Sequence, residues 1–307
     1  MNGLLTGFAT IGSIVALGWL LAHIRMMDES AQHLLSRLAF YVASPALLVT
    51  VLADTDISDV LSAPLLASIG SVLVVGVAQI LLARLVWKRN AAETTIGAFS
   101  AAYVNAGNLG LPIAGYVLGD AALIAPMLLI QLLLMQPLGL TVLDIATSEG
   151  PHSWRTIVRR PLTNPLLIGS AIGVLLSVLD LSLPAPVQDP LTLVAGMAIP
   201  AMLIAYGISL RLGPLPGRGT HAPEVAVIVL LKVVMQPLVA FLLARYALDL
   251  DQAGVLAVTV IAALPTAQNI FVHASRYGTG VLLARDSIFV STILSVPALL
   301  VIAAVLV

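Results

Sequence analysis

The amino-acid sequence predicts an all-α polytopic membrane protein of ten transmembrane helices, two inverted five-helix repeats with broken, crossing fourth and ninth spans. Three observations predict it. Hydrophobic residues make up 60% of the 307 positions and charged residues 9%, whereas soluble domains average about 25% charged, so the chain lacks the polar surface of a globule. Its apolar runs recur at membrane-spanning length. Clusters of Gly, Asn and Pro interrupt two of them at the middle. A net charge of −1 offers no electrostatic footprint for nucleic acid, and the absence of cysteine removes disulfides and thiolate ligands.

The spans fall near 4–24, 34–53, 64–87, 94–118, 122–143, 162–181, 190–210, 224–247, 252–277 and 282–307, each near or above the roughly 20 residues that cross a bilayer. Span 1 lacks a basic leader and reads as a retained helix, not a signal peptide. Twelve of the fourteen Lys and Arg sort to one side. Arg25 and Arg37 follow span 1, Arg84, Lys88 and Arg89 span 3, Arg155, Arg159 and Arg160 span 5, and Arg211 and Arg218 span 7; Arg276 and Arg285 flank the last turn. Opposite them lie Arg245 and Asp54, Asp56, Asp59, Asp120, Asp180, Asp189, Asp249 and Asp251. The positive-inside bias puts the basic side in the cytoplasm. Both termini are then extracytoplasmic, in the plasma membrane (the inner membrane of a bacterium).

An offset of about 161 superposes Ile11-Gly12 on Ile172-Gly173, Leu81 to Arg84 on Leu242 to Arg245, Asn108 on Asn269, Tyr116 on Tyr277 and Gly119 on Gly280. An offset near 155 superposes Pro45 on Pro200. The chain divides accordingly into repeat 1 (1–144), a cytoplasmic linker (145–161) and repeat 2 (162–307). Five spans per copy turn the second upside down relative to the first, an architecture of secondary transporters that places the site near the midplane.

Span 4 reads Asn105-Ala106-Gly107-Asn108-Leu109-Gly110-Leu111-Pro112 at its centre, and span 9 reads Pro265-Thr266-Ala267-Gln268-Asn269. Proline removes a donor and clashes with the preceding turn; glycine permits unwinding. Such backbone survives at membrane depth only against protein or a water-filled cavity. Gly107, Gly110, Pro112 and Pro265 are the expected crossover backbone. The two second halves then begin near the membrane centre with unpaired N–H groups and the positive dipole end. Asn105, Asn108, Thr266, Gln268 and Asn269 add neutral donors, so a carboxylate can be held there without a fixed counter-charge.

Asn105 to Pro112 followed by Tyr116 to Asp120, with Ala263-Leu264-Pro265, Asn269 to Val272 and Arg276-Tyr277-Gly278, resembles the auxin efflux carrier family. That family holds PIN-type auxin carriers and malonate-type carriers within the bile-acid symporter-like superfamily. The resemblance covers the whole chain. It implies a scaffold of spans 1, 2, 6 and 7, a transport unit of spans 3–5 and 8–10 moving as an elevator, and a homodimer joined through the scaffold. It further implies that Asn105 meets the substrate carboxylate and that Gln131 faces substrate. The loop after span 5 is shorter than in many plant members, and no intramembrane acidic pair resembling the symporters' sodium sites appears.

Lys232, inside span 8, either snorkels to the cytoplasmic face or carries charge that balances substrate. Arg285 and Asp286 open span 10; as neighbours on a helix they are expected not to face each other, and a Lys232–Asp286 bridge is one arrangement. His273 is either a structural hydrogen-bonder or a proton relay. Gln136-Pro137 and Gln236-Pro237 are expected to satisfy carbonyls freed by their prolines. No metal-ligand spacing, nucleophile elbow, Walker loop or dinucleotide fingerprint appears, so no enzyme activity, metal or cofactor is expected. The expected function is secondary transport of small organic carboxylates such as auxin- or malonate-like anions, with a membrane sensor using the same pocket as the alternative.

Overall fold

In lipid every backbone N–H and C=O must find a partner inside the protein, which leaves a single apolar chain the choice of helix or closed barrel. The computed structural model describes residues 2–53, 62–110, 113–148, 163–217 and 220–306, and every regular element among them is helical. Asp54, Asp56, Asp59, Pro112, Trp154, Arg155, Arg159, Arg160, Arg218 and most of the predicted linker lie outside the described residues. In chain order the helices are α1 (Asn2–His23), α2 (Glu29–Ala53), α3 (Ala63–Leu85), α4 (Ala91–Ala102), α5 (Ala106–Gly110) and α6 (Ala114–Leu118). There follow α7 (Pro126–Ala146), α8 (Pro165–Val178), α9 (Ala185–Leu212), α10 (Ala222–Ala247), α11 (Gln252–Ala262), α12 (Asn269–Tyr277) and α13 (Val281–Leu306). Six of these, α2, α3, α7, α9, α10 and α13, are long and apolar enough to cross a membrane.

Side-chain caps set where several helices begin. Asn90 and Glu93 form a reciprocal capping box, which starts α4 at Ala91, before the first residue of the predicted span 4. Asp251 caps α11 through the Gly254 N–H, and Asn164 caps α8 through the Leu166 N–H. Two prolines are absorbed rather than helix-ending. The turns Ile130–Met135 of α7 and Leu231–Met235 of α10 are wound as π-helix directly before Gln136-Pro137 and Gln236-Pro237. A widened turn relieves the clash of a proline ring with the carbonyl four residues earlier.

Packing pairs the helices reciprocally. α1 lies along the second half of α9, and α8 along the second half of α2. Glycines bring the backbones close: a Cβ at Gly173 would stand 2.8 Å from the Leu48 carbonyl oxygen, and one at Gly207 would overlap the Val15 carbonyl oxygen. Small residues serve this purpose in membranes, where lipid removes most of the hydrophobic drive for helix association. Left-handed residues pair too. Lys88 and Asp249 are 161 positions apart, as are Gly119 and Gly280, while Arg25 and Asp180 are 155 apart; these are the two offsets of the sequence repeat. At the end of α3, Arg89 donates to Glu224 Oε2 from Nε and Nη2 at 2.9 and 2.8 Å, tying the start of α4 to the start of α10.

Replacing Gly207 by Val forces the α1–α9 backbones apart. Overpacking of this kind costs about 1–3 kcal/mol, so the variant is expected to melt below wild type in a detergent thermal-unfolding scan.

Candidate functional site

The two interruptions meet. α4 ends at Ala102; Tyr103 is extended, Val104 bridges, and the chain turns tightly at Asn105, where the Ala106 N–H donates to the Val104 carbonyl at 2.8 Å, before α5. α11 ends at Ala262 and the helix resumes at Asn269. Val104 and Thr266 face each other as an antiparallel bridge. The Asn105 N–H donates to the Pro265 carbonyl at 2.8 Å, and the Ala267 N–H to the Tyr103 carbonyl at 3.2 Å. Side chains take up the remaining ends of α4. Thr266 Oγ1 donates to the Ser100 carbonyl at 2.6 Å, Gln236 Nε2 to the Ala102 carbonyl at 3.1 Å and Gln131 Nε2 to the Val104 carbonyl at 2.8 Å. The Thr266 N–H donates to Ser291 Oγ at 3.1 Å.

This corrects where the helix breaks. Gly107 and Gly110 lie in α5, after the interruption, and neither has a positive φ. The non-helical residues are Tyr103 to Asn105, held by their partners across the bridge and not by glycine freedom. Gly110 serves packing, since a Cβ there would stand 2.6 Å from Ile124 Cδ1.

Beside the bridge is a cavity of about 180 Å³. Of the residues singled out from the sequence, Asn105, Gly107, Asn108, Gln131, Gln268, Asn269 and His273 border it. Asn105 Nδ2 donates to Gln268 Oε1 at 2.7 Å, Asn108 Nδ2 reaches the same oxygen at 3.4 Å, and Asn105 Oδ1 accepts the Asn108 N–H at 3.3 Å. Asn105 thus caps the second half of its own span. No side chain caps α12, so of the two predicted helix N-termini it is the one whose positive end faces the cavity without a side-chain acceptor. Thr266, Gly110 and Pro265 do not line the cavity. Thr266 is fully buried and committed to Ser100, a structural member of the crossing.

α2, α8 and α9 contribute a mostly apolar lining: Leu47, Leu48 and Val51 with Ser44 from α2, Leu166 from α8, and Ile199 and Met202 from α9. Among the described residues, no Asp, Glu, Lys or Arg lines the space. Gln136, which the sequence reading gave to its own proline, also lines it. Its Oε1 accepts from the Tyr103 hydroxyl at 3.4 Å, while its Nε2 is buried without a partner, as is Asn269 Oδ1. An unpaired buried amide costs about 1–3 kcal/mol, and a ligand with complementary groups would recover it.

The charged candidates stand elsewhere. Lys232 is fully buried, which rules out the snorkelling reading, and its Nζ donates to Gln236 Oε1 at 2.8 Å. Gln236 in turn holds the Ala102 carbonyl, so Lys232 supports the crossing at one remove. The Lys232–Asp286 bridge is absent. Arg285 folds back on its neighbour, Nε and Nη2 donating to Asp286 Oδ1 at 2.8 and 2.6 Å. The spacing rule that separates neighbours on a helix face concerns Cβ directions; the long arginine side chain overrides it. The Pro214 carbonyl accepts from Arg285 Nη2 at 2.8 Å, and the Gly217 N–H donates to Asp286 Oδ2 at 2.9 Å. His273 makes no structural hydrogen bond. Both ring nitrogens are buried and unpartnered, with Phe40 edge-on at 6.0 Å.

The family described as "Membrane transport protein", that of the auxin efflux carriers, matches residues 4–303. The chain belongs to it. Among curated relatives, one from Rhizobium meliloti (strain 1021) described as "Putative malonate transporter" is 27% identical over 289 residues, covering 92% of this chain and 89% of the relative. Another, from Methanothermobacter thermautotrophicus, described as "Uncharacterized transporter", is 28% identical over 302 residues, covering 93% of each. Membership of the auxin efflux carrier family makes this a multi-pass membrane protein of a transporter family.

Removing one partner of a buried ion pair leaves the other charge uncompensated, at about 3–5 kcal/mol. Asp286→Ala is therefore expected to destabilise by that order in detergent unfolding. The double variant Arg285→Met/Asp286→Leu is expected to recover most of the loss.

Proposed function

We propose that this chain is a secondary carrier of small organic carboxylates, holding the carboxylate in the cavity beside the crossing of α5 and α12. The observation that carries the reading is the crossing itself. Two broken helices bridge each other, and amides from both, with the uncapped N-terminus of α12, converge on a cavity that no fixed charge lines. Neutral donors suit a carrier, which must release what it binds; a buried charge pair holds its partner more strongly.

The proposed mechanism is elevator-type alternating access. α1, α2, α8 and α9 form the scaffold; α3–α7 and α10–α13 form the moving unit. The wall composition supports this division, since α2, α8 and α9 face the cavity with apolar side chains over which a polar-ended unit can slide. The matched left-handed positions and the reciprocal packing of α1 on α9 and α8 on α2 support two inverted five-helix copies, 1–144 and 162–307. The Lys and Arg distribution supports inner-membrane placement with both termini extracytoplasmic. A homodimer through the scaffold follows from the family resemblance. A malonate-like anion is the first substrate to test, given the relative's description.

The test is counterflow in proteoliposomes. Vesicles preloaded with unlabelled malonate, or with another carboxylate that raises the melting temperature, are expected to accumulate the labelled anion transiently. Hydrogen bonds to a charged group are worth about 1.5–3 kcal/mol, so Asn105→Ala and Gln268→Ala should weaken apparent affinity about ten- to hundredfold. Binding without any flux would make the protein a sensor; wild-type flux in both variants would remove the carboxylate from the crossing.

A further inference from the structure

The groove between α2 and α12 continues past the crossover cavity. Ser44 to Val51 and Asn269 to His273 border that first cavity. Toward the N-terminus of α2 and the C-terminus of α12 a second cavity of about 410 Å³ opens, lined by His33, Ser36, Arg37, Tyr41, Ser275 and Arg276. Phe40, 2% exposed, touches a lining residue of each, its ring edge-on to His273 of the first and under the Arg276 guanidinium of the second.

The second cavity is chemically unlike the first. It carries two guanidinium groups and no carboxylate in its lining. Arg37 forms no ion pair or hydrogen bond among the described residues. Arg276 has no carboxylate within ion-pair distance there either; it lies over the rings of Tyr41, Tyr277 and Phe40 at 5.1, 5.5 and 5.8 Å. Stacking occupies the face of a guanidinium and leaves its N–H edge for a planar or tetrahedral oxyanion. Asp144 lines a neighbouring cavity with Tyr41 and Arg276, and Glu29 stands one turn from His33. Glu29 meets His33 at 3.9 Å on an exposed face, and Asp144 accepts from the Tyr277 hydroxyl at 2.8 Å and from Asn164 Nδ2 at 3.1 Å.

Two hydroxyls complete the set. Helical Ser and Thr in this chain commonly return their proton to a carbonyl one turn back, as Ser100, Ser170 and Thr259 do. Ser36 and Ser275 do not: their Oγ atoms are buried without any partner, and Ser36 is 4% exposed. Buried hydroxyls without partners beside two arginines offer the donor chemistry that an oxyanion takes.

We propose that this second cavity binds an oxyanion, a carboxylate or phosphate group held between Arg37 and Arg276 with the hydroxyls of Ser36 and Ser275 donating to it. Resting on the carrier reading, its role is a docking station on the cytoplasmic side, from which an anion passes Phe40 into the crossover cavity. The binding itself does not depend on that reading. Two sources supply the same chemistry: a free anion from the cytoplasm, or the headgroup of an anionic lipid at the membrane surface.

The experiment uses the full chain with malonate and inorganic phosphate as probes, in lipid-free detergent and in phosphatidylcholine nanodiscs with or without phosphatidic acid. Asn105→Ala removes the crossover contribution. In that background a probe or phosphatidic acid is expected to bind at one site per chain, about ten- to hundredfold weaker once Arg37→Gln and Arg276→Gln are added. Ser36→Ala/Ser275→Ala should weaken it by a smaller factor. If Asn105→Ala does not fold, stoichiometry is compared in otherwise wild-type protein, where neutralising both arginines should remove one binding event. Arg-dependent binding of soluble probes identifies the free anion; Arg-dependent stabilisation by phosphatidic acid alone identifies the lipid. No binding of malonate, phosphate or phosphatidic acid, or binding indifferent to the arginines, overturns the site. Absent counterflow with Arg-dependent binding retained defeats the carrier reading and leaves the oxyanion site standing.

Discussion

Two chain breaks in a low-dielectric medium can persist only if each supplies what the other lacks. Tyr103 to Asn105 and Pro265 to Ala267 do this through one antiparallel bridge, exchanging N–H and C=O groups that lipid could not solvate. The rest of the architecture serves that exchange. Thr266, Gln236 and Gln131 close off the carbonyls of Ser100, Ala102 and Val104, and Ser291 takes the Thr266 N–H. Without these partners the crossing would expose several unpaired groups, each costing several kcal/mol in lipid.

Much of the polar inventory is therefore architectural before it is functional. Gln131 and Asn105 border the cavity, yet each spends its amide nitrogen on the protein. The groups left over are Gln136 Nε2, Asn269 Oδ1 and both nitrogens of His273, all buried and unpartnered, together with the uncapped start of α12. Their side chains line the cavity together with the aliphatic residues of α2, α8 and α9. The second cavity, lined by Arg37 and Arg276, carries the fixed positive charge that the described lining of the crossover cavity lacks.

Sequence reasoning reached the two interruptions and the cavity amides Asn105, Asn108, Gln268 and Asn269 through a local signal, amides beside helix breakers in an otherwise apolar span, and Gln131 through the family resemblance; Gln136 and the aliphatic lining carry no such signal. It gave the unwinding to Gly107 and Gly110, which attract attention by their intrinsic backbone preferences, whereas Tyr103 to Asn105 leave the helix through partners about 160 residues away. Thr266 and Gln268 are near neighbours in sequence, yet one points into the packed crossing and the other into the cavity. The Arg285–Asp286 pair, the isolation of His273 and the tie from Lys232 through Gln236 to Ala102 escaped for a related reason. Side-chain reach and long-range neighbours decide them, and residue spacing reports neither.

What the sequence determined by itself was the medium and the family: 60% hydrophobic and 9% charged residues leave a chain of 307 residues no aqueous fold, and motifs at the two breaks carry the resemblance. Composition and periodicity act through solvent, and solvent is common to every residue. Only the tertiary structure decided which donors are consumed by the crossing and which are left for a ligand, and only it revealed Arg37, Ser36, Ser275 and Arg276 around one cavity. Those outcomes depend on which groups come within hydrogen-bonding distance, a property of two chain segments folded together and of neither one alone.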